Sequence, residues 1–330
     1  MQGDFLKRWV PAKLITEERG MFCRWMYFGN KKFTEPFFDD TIRVCRQFPE
    51  NRSLFKSTSV LEMLAPWSLS LQSIPPTAFI FHVSRCGSTL LSQLLSLDPR
   101  NIVLSEVPFL DEVLRLPFGQ NGITVQQADH YFGEALQFYG QQKETDESQV
   151  FVKLDSWHLF FYRRIRKLYP SVPFIILYRS PAEIIRSQQR SRGMQSVPGM
   201  LEKEIFGFTE RELTTDLDLH MCRVLEKYFA EILGLIKTNE NFLLFNYDEG
   251  IPSILERVLL HLGIHTEASY REKINERVTF DGKRPAFFFQ AEEAAPNEAS
   301  YLQKSIELYK QLEGERLSPK VVENKLQQQA

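Results

Sequence analysis

The sequence predicts a three-layer α/β fold of the phosphate-loop type, in which a mostly parallel central sheet is flanked by helices and preceded by an N-terminal extension. Three observations predict it. Short apolar runs alternate with helix-like segments from Thr77 onward. Those runs are apolar nearly throughout, as in strands covered on both faces of a parallel sheet. The first of them leads straight into Ser84-Arg85-Cys86-Gly87-Ser88-Thr89, a turn that opens a helix.

The elements follow in order. Residues 1–75 mix aromatic and charged side chains without a clean period and read as an extension or small subdomain. Ile74-Pro75-Pro76 punctuates the chain, so the main α/β domain is expected over 76–330. TAFIFHV (77–83) is the first strand, and helical apolar spacing over Thr89–Leu97 follows its turn. NIVL (101–104) is a short strand. QVFVKL (149–154) is a β-branched run followed by a helix over Trp157–Tyr169. VPFIILY (172–178) is the strongest strand, and Pro181 suits the first turn of the helix after it. NFLLFNY (241–247) precedes an amphipathic helix over Ser253–Leu262, and the last residues, ENKLQQQA, read as a frayed tail. Ligands of such sheets bind outside the carboxyl ends of the strands. The motifs fall there.

Composition narrows the function. Lys and Arg number 40 against 42 Asp and Glu, a net charge of -2. That balance argues against a nucleic-acid partner or an anionic membrane surface, which call for a basic excess. No apolar run approaches the ~20 residues of a membrane span, and the N-terminus lacks the apolar core of a signal peptide. Cys23, Cys45, Cys86 and Cys222 are scattered without a CxxC pair, as expected for reduced thiols of a soluble cytoplasmic enzyme. The six histidines are dispersed with no metal-binding spacing, so no metal is expected.

A strand, a tight turn and a helix N-terminus present backbone N–H groups to an anion. Gly87 permits close backbone approach, while Arg85, Ser88 and Thr89 add a cation and two hydroxyls. Cys86 reads as a small loop residue rather than a nucleophile. Against the nucleotide-hydrolase pattern G-x-x-x-x-G-K-[ST], His82 occupies the first Gly position and Ser88 the Lys position. An ordinary strand–helix turn is the plain alternative. A second anchor stands at the next βα junction: Arg179 ends a strand, and Ser187 lies eight residues on in the helix. A guanidinium and a hydroxyl so placed suit a further phosphate.

Together these two segments resemble the sulfotransferases that use 3′-phosphoadenosine-5′-phosphosulfate. The family's 5′-phosphosulfate loop is similar to Ser84–Leu91, and its 3′-phosphate Arg and Ser are similar to Arg179 and Ser187; the resemblance covers roughly residues 77–265. It departs at Ser84 and Cys86, which replace Pro and Ser, and at Arg85, which replaces a catalytic Lys as in bacterial-type members. The resemblance implies a fold and an activity: transfer of a sulfuryl group to a hydroxyl or amine of an acceptor, without a metal. It implies that Arg85, Cys86, Gly87, Ser88 and Thr89 hold the 5′ end of the donor, with Arg179 and Ser187 on its 3′-phosphate. Lys283 and Arg284 are the nearest match to the family's late basic loop, and a solvated turn explains them equally well.

The same resemblance makes Lys153, with Arg85, a stabiliser of charge on the sulfuryl group; the alternative for Lys153 is a salt bridge with Asp155. Glu106 and His158 are the base candidates. Glu106 follows a strand and faces the cleft, unless it caps the helix near Pro108; His158, at a helix start, is more often structural. The segment 191–200 reads as a lid or acceptor loop, and Phe287-Phe288-Phe289 as core or pocket wall. Two rivals stay open: a P-loop kinase or nucleotide hydrolase, and a non-catalytic nucleotide-binding module.

Overall fold

A computed structural model describes residues 6–18, 20–144, 146–238, 240–283, 286–288 and 300–318. Its centre is a five-stranded sheet, built from β4 (Ala78–His82), β5 (Asn101–Ser105), β6 (Gln149–Lys153), β7 (Phe174–Tyr178) and β8 (Leu243–Asn246). The strand order is β5-β6-β4-β7-β8, and every pairing is parallel. Every residue of β4 and β7 is buried, so both faces of the sheet are covered. That is why these strands read as continuous apolar runs. The chain winds to one side of β4 and then to the other, which opens a crevice at the carboxyl end of β4.

Ahead of this sheet, β1 (Trp9–Glu17) and β2 (Gly20–Tyr27) form an antiparallel ribbon, joined by the short β3 (Thr58–Val60). Its missing sequence period has a structural cause. A register shift between Pro11 and Lys13 interrupts β1, and many of the ribbon's side chains are only half-buried. Between β2 and β3 lies α1 (Phe38–Cys45), and α2 (Leu64–Ser68) follows β3.

The helices of the main sheet are α3 (Ser88–Leu95), α4 (Pro108–Arg115), α5 (Val125–Tyr139), α6 (Tyr162–Leu168) and α7 (Pro181–Arg190). They are followed by α8 (Leu217–Lys237), α9 (Ile251–His261), α10 (Ala268–Arg277) and α11 (Gln303–Arg316). The N-terminal ribbon packs on α4 and α5, with Trp25 of β2 edge-on to Phe138 of α5 at 4.8 Å, and Phe38 of α1 meets Tyr139 of α5 edge-on at 5.4 Å. Such pairs contribute about 0.5–1.5 kcal/mol each beyond burial.

Strand boundaries agree with the sequence reading to within two residues. The helix expected over Trp157–Tyr169 instead begins as a 3-10 segment, Ser156–Phe161, before α6. Side chains of its first turn are drawn to Asp111 and to the Asp155 backbone, which tightens the winding. Phe287 and Phe288 are 61% and 72% exposed, so they are neither core nor enclosed pocket wall; Phe289 lies outside the described residues. No described helix is long and apolar enough to cross a membrane.

Candidate active site

The turn after β4 is built from unusual backbone. Ser84 and Arg85 have positive φ (71° and 52°), as does Gly87 (81°). Of the four non-glycine residues with positive φ among those described, three are Ser84, Arg85 and Glu106. Strained conformations cluster where the surroundings over-determine them, often at functional sites. Gly87 is required twice over. A Cβ there would lie 2.9 Å from both Ile251 Cγ1 and Tyr247 Cδ2, and the positive φ disfavours any L side chain. Gly87 is also the N-cap of α3, so the backbone N–H groups of Ser88 and Thr89 stand at a helix N-terminus.

The loop is held from behind. His82 Nδ1 accepts the Ser84 N–H at 3.1 Å, and the Ser84 hydroxyl accepts the amides of Gln188 (3.0 Å) and Gln195 (2.7 Å). The Arg85 guanidinium donates to the Ser191 carbonyl. Cys86 faces inward and donates to the Leu177 carbonyl, and burial pushes its thiol up to about 12. Its side chain is therefore neither a nucleophile nor an anion ligand; only its backbone can serve. All four cysteines are buried free thiols.

The carboxyl ends of β5 and β6 bring the next groups together. Lys153, 1% exposed, points its ammonium at Glu106 Oε1 (2.6 Å) and reaches Thr89 Oγ1 at 3.4 Å. Its partner is Glu106, not Asp155. Glu106 does not cap α4 either: Val107 is the N-cap residue, and no side chain caps that end. Because His82 Nδ1 accepts the Ser84 hydrogen bond, Nε2 carries the ring proton, and it lies 3.0 Å from the Leu154 carbonyl and 3.2 Å from Glu106 Oε1. Burial raises the Glu106 carboxyl, but Lys153 and His82 outweigh it and hold the group well below the usual carboxylate range.

Two further groups complete the cluster. Phe37, from the N-terminal segment, lays its ring 5.4 Å from Lys153 Nζ and 5.9 Å from Lys283 Nζ. Lys283 is exposed along its length, yet its ammonium end sits near Arg85, Glu106 and Lys153. Withdrawal from water, then repulsion from Arg85, lowers its pKa to about 8. Gly282 packs over the start of α3, where a Cβ would lie 3.3 Å from Leu90 Cβ. Arg284 lies outside the described residues.

At the β7–α7 junction, Arg179 donates to the Arg85 carbonyl at 3.3 Å and to Glu183 Oε1 at 2.7 Å, and it stacks 4.1 Å from the Tyr247 ring. Ser187 is half-buried in α7, two turns on from Arg179.

His158, the second base candidate, is held in a buried hydrogen-bond network. Its Nδ1 accepts the Asp155 N–H at 3.3 Å, so Nε2 bears the proton it gives to Asp111 Oδ1 at 2.9 Å. With both nitrogens engaged and the ring 1% exposed, it has no lone pair for an acceptor. Asp111, Asp155 and His158 also place ligand-type atoms within 4.8 Å of one another. Asp111 already accepts from Trp157 Nε1 (2.6 Å) and pairs with Arg115 (3.0 Å), so its oxygens are committed to this structural network.

His82, Phe37, Gln188 and Gln195 were not legible as site residues in the sequence. The only available signal was the position of His82, where the nucleotide-hydrolase pattern has glycine.

No protein-family model matches the chain, and no curated protein matches it in sequence. Solved structures do. The chain is similar to a sulfotransferase from Alicyclobacillus acidocaldarius at 18% identity, covering 61% of this chain and 90% of that one, with a TM-score of 0.38. It is similar to sulfotransferase STF9 from Mycobacterium avium at 14% identity, covering 76% and 77%, with a TM-score of 0.45. For sulfotransferase STF1 from Mycobacterium tuberculosis H37Rv the values are 13%, 66%, 76% and 0.40. At these identities the likeness is one of overall fold.

Proposed function

We propose that this chain transfers a sulfuryl group from 3′-phosphoadenosine-5′-phosphosulfate to a hydroxyl or amine of an acceptor. The observation that carries the reading is the pairing of Lys153 with Glu106 beside a helix N-terminus, with the Lys283 ammonium close to both of them and to Arg85. An anion cradle with three cations and a carboxylate suits a reaction in which negative charge moves from acceptor to leaving group.

The donor supplies an electrophilic sulfur in a phosphosulfate anhydride. The acceptor oxygen or nitrogen bonds to that sulfur, the bond from sulfur to the 5′-phosphate oxygen breaks, and 3′,5′-bisphosphoadenosine leaves. The chain's residues do the rest. Backbone N–H groups of the Ser84–Thr89 loop and the Arg85 guanidinium bind the 5′ end, while Arg179 and Ser187 bind the 3′-phosphate. Lys153 shares its charge between Glu106 and the leaving oxygen. As Lys153 turns toward that oxygen, Glu106 loses its strongest stabiliser and becomes basic enough to take the acceptor proton. His82 keeps Glu106 in place through Nε2 and the loop in place through Nδ1.

A kinase reading has less support, because Ser88 stands where that loop needs lysine. The test is thermal unfolding with 3′,5′-bisphosphoadenosine, ATP–magnesium and GTP–magnesium, followed by transfer of labelled sulfate to acceptor mixtures. Stabilisation by the bisphosphate with product formation is expected. Stabilisation by ATP–magnesium alone would point to a kinase, and binding without product to a non-catalytic module.

A further inference from the structure

The N-terminal unit sends one side chain to the candidate active site. Phe37 is the N-cap residue of α1, in extended backbone (φ -133°, ψ 147°), so its ring and that of Phe38 leave the chain in different directions. Phe38 is 1% exposed and packs on Phe28, Phe33 and Tyr139, with ring centres 5.6, 5.1 and 5.4 Å away. Glu35, just ahead, accepts the Thr41 hydroxyl at 2.7 Å and pairs with Lys31 at 2.5 Å. The backbone that carries Phe37 is thus pinned on both sides. Its half-buried ring stands at the carboxyl end of β6, where Lys153 is the last residue.

The ring centre lies 5.4 Å from Lys153 Nζ and 5.9 Å from Lys283 Nζ, both within reach of a cation–π contact. Exposure divides the Lys153–Glu106 pair unevenly. None of the Lys153 side chain is exposed, whereas 21% of the Glu106 side chain is. The pair therefore opens at the carboxylate, where an acceptor proton would arrive, and is closed at the ammonium. Thr89 Oγ1 stands on the loop side of that ammonium, and Phe37 stands on the side of the N-terminal unit. An aromatic face attracts a cation without accepting a strong hydrogen bond from it. The ammonium so covered keeps its donors for Glu106, Thr89 and a developing oxyanion, rather than for water.

We propose that Phe37 is a positioning residue for sulfuryl transfer: its ring covers Lys153, keeps water from the transferring group, and makes the N-terminal unit part of the active site. This proposal rests on the sulfuryl-transfer reading. Without the cover, the competing reaction is hydrolysis of the donor. A water oxygen bonds to sulfur, the bond from sulfur to the 5′-phosphate oxygen breaks, and sulfate and 3′,5′-bisphosphoadenosine leave. The protons of that water pass to solvent. Closing a site over the reacting group suppresses side reactions of this kind.

Two measurements on the full chain test it. Release of labelled sulfate from the donor, with no acceptor present, should rise about fivefold or more in Phe37→Ala and stay at the unmodified rate in Phe37→Tyr, which keeps the ring. Pulse labelling with acetic anhydride, mapped peptide by peptide, should modify Lys153 about fivefold faster in Phe37→Ala, where the ring no longer shields the amine, and not in Phe37→Tyr. Lys143 is the internal reference, because its ammonium lies 3.5 Å from the ring centre of Phe33 in the same N-terminal unit. Its labelling should not change. Equal acceleration at Lys143 and Lys153 would mean that the substitution loosens the whole unit, and would overturn the proposal. Unchanged labelling of Lys153 would overturn it too, as would faster labelling without faster sulfate release in a chain that transfers sulfate. If neither the unmodified chain nor any variant releases sulfate or forms product, the transfer reading fails, and Lys153 labelling alone decides whether Phe37 is its cover.

Discussion

Lys153 and Glu106 leave neighbouring parallel strands at the same level, with Ser105 in register with Lys153, and their side chains meet at 2.6 Å. The ladder continues one step further, because the Glu106 N–H donates to the Lys153 carbonyl at 2.9 Å. Backbone and side chain therefore fix the same pair. A fully buried ammonium is costly without such a partner.

Glu106→Gln should lower the turnover rate by about 10²–10⁴-fold, the usual cost of losing a general base, with bisphosphate affinity kept. The pair also sets acid stability. The folded Glu106 carboxyl sits below its ordinary value of 4.5. Its stabilising contribution is therefore present above that pH and is lost as pH falls toward the folded pKa. Urea unfolding from pH 6 to pH 3 should show a steeper loss in the unmodified chain than in Glu106→Gln.

His158→Gln should cost stability rather than chemistry, because it breaks the bond to Asp111 and leaves a buried carboxylate under-paired. A fall in melting temperature is expected, with the turnover rate of the folded fraction within about threefold, far short of the loss from an essential base. A folded His158→Gln protein without activity, beside an active Glu106→Gln, would show that the base has been assigned to the wrong residue.

Arg179→Ala removes a guanidinium held by Glu183 and stacked on Tyr247. Charge-assisted bonds contribute about 1.5–3 kcal/mol each, so affinity for 3′,5′-bisphosphoadenosine should drop at least tenfold. Binding of 5′-AMP, which lacks the 3′-phosphate, should barely change. Equal losses for both ligands in calorimetry would make Arg179 a support for the Arg85 carbonyl instead.

Lys283, with its pKa lowered to about 8, carries full charge only below that pH. Donor-product binding should therefore weaken as pH rises from 7 to 9.5. In Lys283→Met the affinity should be lower at pH 7 and the slope flatter. A parallel slope in the variant would assign the titration to another group.

Gly87→Ala should reduce nucleotide binding severely, because the new methyl group meets Ile251 and Tyr247 and the backbone resists a positive φ. Calorimetric affinity and melting temperature should both fall. An alanine variant that binds normally would mean that the loop adapts easily and is not preorganised.

The sequence by itself determined the strands of the sheet and the turns that end them. Apolar runs such as Phe174–Tyr178 are strands because both their faces are buried, and that property is local and continuous along the chain. Gly87 and Pro181 announce their turns for equally local reasons of φ and helix geometry. Only the tertiary structure decided the partners. Lys153 meets Glu106 rather than Asp155 because parallel pairing sets the ends of β5 and β6 level. His158 is spent on Asp111 because the 3-10 turn after Asp155 swings it toward α4. His82 serves Ser84 and Glu106 from the end of β4, and Phe37 arrives from a segment whose period showed nothing of its destination. Each depends on contacts between residues far apart in the chain. Periodicity records which residues are buried; packing between elements decides what they are buried against.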